Sequence, residues 1–135
     1  RWQHESGLFY QLIDLPDEPG NYLETSGSAM AAYALMKGAR LGVLNKEKYA
    51  PLGRKALDAL VRDKLALSAG GGHLNDICLV AGLGGEGRRD GSVAYYLSEP
   101  RVADDAKGVG PFMMAYAEAL MQDRADIGKG VNRAE

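Results

Sequence analysis

Cysteine is nearly missing. Cys78 is the only one in 135 residues, so an internal disulfide framework is excluded, and a reducing compartment suits the chain. Histidine is almost as scarce. His4 and His73 stand alone, without Cys or carboxylates at the spacing a metal site needs. No long apolar run is present either. The longest, Ala29 to Met36, falls far short of a membrane span. Neither sign of charge dominates: 16 Lys and Arg stand against 18 Asp and Glu. With no basic run, the electrostatic footprint of a nucleic-acid binder is absent. Neither nucleic acid nor membrane is therefore an expected partner. The opening Arg1-Trp2-Gln3-His4-Glu5 lacks the apolar stretch of a secretory signal. What remains is the composition of one ordinary globular domain, 46% hydrophobic and 25% charged, which excludes a disordered tail. Glycine is the excess, at 18 residues, roughly twice ordinary usage.

Helical periodicity appears in three places. Ser28–Lys37 is Ala-rich and apolar nearly all round, so it predicts a helix buried on most sides. Thr25, Ser26 and Ser28 are its candidate N-caps, and Gly42 its C-terminal stop. From Asn45 or Tyr49 to Lys64, Tyr49, Leu52, Ala56, Leu60 and Val61 fall near 3.6-residue spacing opposite a charged face. Pro51 belongs to the first turn of that helix or marks its start. The link between the two is short, so they should lie antiparallel, an inner helix followed by an outer one. A third helix should open at Gly110 and Pro111 and run through Leu120, with residues 123–135 a polar tail.

The centre, 65–100, has no helical pattern. A turn is expected at Ala69–Gly72 and a short strand at Ile77–Val80. Gly82-Leu83-Gly84-Gly85-Glu86-Gly87 fits G-x-G-x-x-G, but the pyrophosphate of a dinucleotide needs a helix to open there. None is predicted, so a glycine-rich loop that shapes a surface is the default, with NAD or ATP binding a distant third reading.

Several residues suit sugar chemistry. Glu24, Ser26 and their neighbours place a carboxylate and hydroxyls at a helix entrance. Simple capping is one reading, and hydrogen bonding to a sugar is the other. Tyr95-Tyr96 and Glu99 join aromatic faces to an acid, the mixture a sugar site uses, although the tyrosines equally suit a core. Lys107 is placed to pair with a ligand carboxylate, or with Asp104 or Asp105.

Six ordered blocks, Ser6–Gln11 (SGLFYQ), Asn21–Met30 (NYLETSGSAM), Val80–Gly84 (VAGLG), Arg89–Ser92 (RDGS), Tyr95–Pro100 (YYLSEP) and Asp105–Phe112 (DAKGVGPF), resemble the C-terminal part of the unsaturated rhamnogalacturonyl hydrolases. These form glycoside hydrolase family 105, related to the family 88 unsaturated glucuronyl hydrolases. The resemblance implies an all-α fold, part of an (α/α)6 barrel with a short β-hairpin insertion, carried by residues 1–122. It implies a substrate, a pectin-derived oligosaccharide with a 4,5-unsaturated galacturonosyl end. It also implies a reaction in which an Asp protonates the C4=C5 bond, water adds at C5, and the opened hemiketal releases the next sugar. This is vinyl-ether hydration rather than displacement at the anomeric carbon. No cofactor or metal is called for, and the location implied is cytoplasmic.

The chain departs from the family in two ways. The family's catalytic Asp and its W-G-R-x-x-G-W-type block belong upstream of these blocks, and neither occurs here. No Asp of this sequence inherits the catalytic role. Phe9 stands where Trp is expected, and Asp104 where Asn is common. The expectation is therefore a C-terminal piece of such a hydrolase, inactive alone, with the N-terminal part of the barrel as its partner. Glu24 and Ser26 are expected to serve as hydroxyl partners, Tyr95 as a stacking surface and Lys107 as a carboxylate partner. The alternative is a stand-alone, catalytically inactive helical binding module.

Overall fold

The computed structural model describes residues 2–84 and 89–131, with helical backbone alone for 125–131. Three long helices dominate: α1 (Thr25–Arg40), α2 (Lys46–Asp63) and α4 (Ala106–Val131). A short helix, α3 (Val93–Ser98), lies where no helix is expected from the sequence. Three separate antiparallel pairs are present among the described residues, rather than one hairpin. β1 (Phe9–Tyr10) pairs with β2 (Leu23–Glu24), β3 (Leu65–Ser68) with β4 (Gly71–Leu74), and β5 (Ile77–Cys78) with β6 (Arg101–Val102).

α1 is the central helix and packs along both α2 and α4, which touch each other lightly. Its buried face is built of small residues, Ala29, Ala32 and Ala39, with Met36, so neighbouring helices approach closely. Contacts with α2 run in opposite order along the two helices. Ala32 and Met36 meet Gly53, while Ala29 lies with Ala59 and Leu60. These helices are antiparallel, as the short link requires. Contacts with α4 rise together, from Ala29 near Phe112 to Met36, whose carbonyl accepts from Gln122 Nε2 at 3.0 Å. α4 is therefore parallel to α1. Three long helices do not by themselves close a barrel.

Boundaries differ from the sequence reading for identifiable reasons. Glu24, not Thr25, Ser26 or Ser28, caps α1, because its longer side chain reaches back to the Gly27 amide. The Thr25 and Ser28 hydroxyls are used elsewhere: Thr25 Oγ1 donates to the Asn75 carbonyl, and Ser28 Oγ accepts from the Phe9 amide. Pro51 sits inside α2, past its first turn. α4 opens before Gly110, because the Asp105 carboxylate accepts from the Lys107 amide at 2.9 Å and fills the capping role. Pro111 is then interior. The same helix continues through 123–131, which the sequence reads as tail; 132–135 lie outside the described residues.

Since α1 and α4 are parallel, their amino ends share one end of the bundle. Strand pairs β1–β2 and β5–β6 and the loop 74–76 gather there. Gly108 lets α4 approach β5: an added Cβ would lie 2.5 Å from Ile77 Cδ1.

Candidate functional site

Glu24 is the hub of the helix-end cluster. It is buried, and its carboxylate accepts three hydrogen bonds: Ser26 Oγ at 2.8 Å, the Gly27 amide at 2.6 Å and the Cys78 amide at 3.0 Å. Two come from groups at its own helix end and one from β5, so Glu24 clamps α1 to that strand. Little acceptor capacity remains for a ligand. Ser26, half-buried, spends its proton on Glu24 and keeps its oxygen lone pairs.

Register places Cys78 opposite Arg101. Cys78 is free and buried, and its sulfur lies 3.4 Å from Gln11 Nε2. The Arg101 guanidinium stacks 4.7 Å from the centre of the Tyr22 ring. No carboxylate pairs with Arg101 among the described residues. The Tyr22 hydroxyl oxygen is buried and has no hydrogen-bond partner among the described residues. Its proton is held well above the usual phenol range, first by burial, then by Cys78 and the Glu24 carboxylate, with Arg101 opposing.

Tyr95 belongs to α3, entered from Ser92, whose Oγ accepts from the Tyr95 amide. Its hydroxyl accepts from the Gly82 amide at 3.0 Å, and its ring meets Tyr96 edge-on. Burial raises its pKa, with the nearby Glu99 adding to the shift. Lys107 has a partner of its own: its ammonium lies 2.7 Å from Asp105 Oδ1. That contact holds the Asp105 carboxyl below its usual range. The structure thus joins Glu24 to Ser26. Among the described residues, no hydrogen bond or ion pair links either of them to Tyr95 or Lys107.

Of the glycine motif, Gly85, Glu86 and Gly87 lie outside the described residues, as does Arg88. No helix contains Gly82 or Gly84, and the next one begins at Val93. The strand–turn–helix frame of a dinucleotide site is therefore not built on those two glycines. Gln11, Tyr22 and Arg101 were not singled out by sequence reasoning. A Tyr and an Arg far apart in sequence carry no shared signal until β5 and β6 pair.

Similarity to known proteins decides the family. The model of Glycosyl Hydrolase Family 88 matches residues 1–123. The chain belongs to that family. Among solved structures, a Clostridium acetobutylicum glycoside hydrolase from family 105 is 45% identical with a TM-score of 0.81, over 87% of this chain and 33% of its own. A possible family 105 member from Klebsiella pneumoniae is 26% identical with a TM-score of 0.70, over 90% of this chain and 28% of its own. Two curated relatives, Protein Atu3128 of Agrobacterium fabrum and the 24.9 kDa protein in the picA locus of Rhizobium radiobacter, are each 54% identical over 128 residues. The chain spans 55% of the length of either.

Proposed function

We propose that this chain is the C-terminal portion of a glycosidase that acts on an unsaturated uronate sugar of pectic origin. The reaction is hydration of the C4=C5 double bond of a 4,5-unsaturated galacturonosyl unit, followed by release of the adjacent sugar. The observation that carries the reading is the family match over residues 1–123, with 45% identity to a family 105 structure. In this reading the proton donor, an Asp, and the rest of the helical barrel come from sequence outside these 135 residues. A single acid that protonates carbon and then activates water needs a pKa near the working pH.

The residues of this chain serve the distal end of the site. Ser26 offers lone pairs to a sugar hydroxyl while Glu24 fixes its rotamer. Tyr95 offers a ring face. Lys107 already spends charge on Asp105, so Arg101, which has no carboxylate partner among the described residues, is the stronger candidate for that charge. The free Cys78 thiol supports a cytoplasmic location.

The test is loss of the ultraviolet absorbance of the unsaturated uronate when the complete source protein meets an unsaturated rhamnogalacturonan disaccharide. Steady absorbance under turnover conditions would overturn the hydrolase reading and leave the catalytically inactive helical binding module.

A further inference from the structure

The Arg101 guanidinium lies over the face of the Tyr22 ring, 4.7 Å from its centre. Among the described residues it makes no hydrogen bond or ion pair. Attraction to a ring face spends no N–H group, so the donors of the guanidinium stay available along its edge. Arg101 is exposed, and Tyr22 is half-buried beneath it.

The two residues come from separate parts of the fold, and each backbone is tied down. Arg101 sits on β6, opposite Cys78 of β5. The Tyr22 carbonyl accepts from the Gln11 amide at 2.9 Å, and the Tyr22 amide donates to Asn21 Oδ1 at 3.0 Å. Asn21 Nδ2 in turn donates to the Leu12 and Leu15 carbonyls at 2.9 and 2.8 Å. The hydroxyl end of Tyr22 is buried and makes no hydrogen bond among the described residues. What Tyr22 gives Arg101 is therefore its ring, a fixed platform. An arginine stem without one samples many rotamers.

We propose that Tyr22 is a positioning residue: its ring holds Arg101 so that the guanidinium edge is free to grip a ligand carboxylate with two N–H groups. The identity of that ligand, an unsaturated uronate, rests on the hydrolase reading above. A guanidinium held in place before binding loses less rotamer freedom when the ligand arrives. The ring therefore acts on affinity rather than on the chemical step.

Kinetics of the complete source protein on the unsaturated disaccharide test this. Tyr22→Leu is expected to raise KM about threefold to tenfold at nearly constant kcat. Tyr22→Phe should restore KM, and the carboxyl-reduced analogue should not register the change. In an Arg101→Gln background, Tyr22→Leu should add nothing, because the ring then has no guanidinium to hold. An unchanged KM, a fall in kcat alone, an equal effect without Arg101, or a Tyr22→Phe variant as weak as Tyr22→Leu would each overturn the proposal. Should Tyr22→Leu fail to fold, Tyr22→Phe with increasingly fluorinated rings decides instead. A KM that climbs as fluorine drains charge from the ring supports the proposal, and a constant KM overturns it. If the protein binds the disaccharide without turning it over, the hydrolase reading fails, and the same variants read by calorimetric Kd decide the role of Tyr22. No binding at all overturns both.

Discussion

Arg40 and Glu118 join the last turn of α1 to the middle of α4 through a two-pronged ion pair. Arg40 Nε and Nη2 donate to the two carboxylate oxygens at 2.5 and 3.0 Å. Glu118 is almost wholly enclosed, its side chain 1% exposed, whereas Arg40 is 38% exposed. Glu118 is thus a buried anion held by one cation, and the hydrogen bond raises the Arg40 pKa. Arg40→Ala is expected to lower stability, because it leaves the enclosed Glu118 carboxylate without its partner, though by less than in a fully buried pair because Arg40 reaches water. Adding Glu118→Leu should recover most of the loss. Urea unfolding of the single and double variants checks this, and a double variant no better than the single one would refute it.

Gly53 marks a close approach of α1 and α2. A Cβ there would lie 2.7 Å from Met36 Cγ and 3.0 Å from the Ala32 carbonyl oxygen. Gly53→Ala gains about 1 kcal/mol of helix propensity but forces a backbone carbonyl to move. Overpacking of this kind costs about 1–3 kcal/mol, so the net effect should be a lower melting temperature. A rise would mean that α2 slides freely on α1.

Glu24 and Ser26 should separate when substituted. Glu24→Ala leaves the Gly27 and Cys78 amides without their acceptor, at about 2–4 kcal/mol. Ser26→Ala removes only a donor to Glu24, so stability should change by less than about 1 kcal/mol. In the complete protein, Ser26→Ala should raise KM for the unsaturated disaccharide if Ser26 holds a sugar hydroxyl. An unchanged kcat/KM removes Ser26 from the site.

The long helices were legible in the sequence because burial repeats along them. Ala56 and Leu60 lie in the core where the 3.6-residue pattern puts them, whereas Leu52 and Val61 of the same set are exposed. The two N-terminal boundaries were not. Glu24 and Asp105 cap because of local geometry, and a serine or a Gly-Pro pair looks equally good on paper. The polar cluster was half legible. Glu24 and Ser26 announce themselves next to a helix start, whereas Tyr22 and Arg101 meet only through strand pairing and cation–π stacking. Lys107 was ambiguous for the same reason: its 2.7 Å contact with Asp105 depends on the rotamer, not on spacing.

Asp104 should give the loop before α4 an acid-sensitive fastening. Its carboxylate contacts His73 Nδ1 at 2.7 Å and accepts from the Leu74 amide at 2.8 Å, from a backbone φ of 61°. The His73 bond, then the Leu74 amide, hold its pKa below the usual carboxylate range. Because the folded pKa is the lower one, the stabilisation is complete above about pH 3.9 and is lost as pH falls through the folded value. Asp104→Asn keeps an acceptor for Leu74 and tolerates the left-handed backbone, but has no charge to lose. The urea midpoint of this variant should therefore fall less steeply on acidification than that of the unaltered chain. Parallel slopes would show that Asp104 contributes nothing to the acid limb.

Arg101 and Lys107 offer competing assignments for a ligand carboxylate, and their contacts predict which variant matters. Lys107→Gln removes a cation already neutralised by Asp105, so uronate recognition should change little. Arg101→Gln removes a guanidinium with no carboxylate partner among the described residues, stacked on Tyr22. Charge-assisted hydrogen bonds are worth about 1.5–3 kcal/mol, so its kcat/KM on the unsaturated uronate should fall roughly tenfold to a hundredfold. The carboxyl-reduced analogue should lose much less, because the lost bond is to the carboxylate. An equal loss on both substrates would make Arg101 a prop for Tyr22, and a larger loss from Lys107→Gln would restore the charge to Lys107.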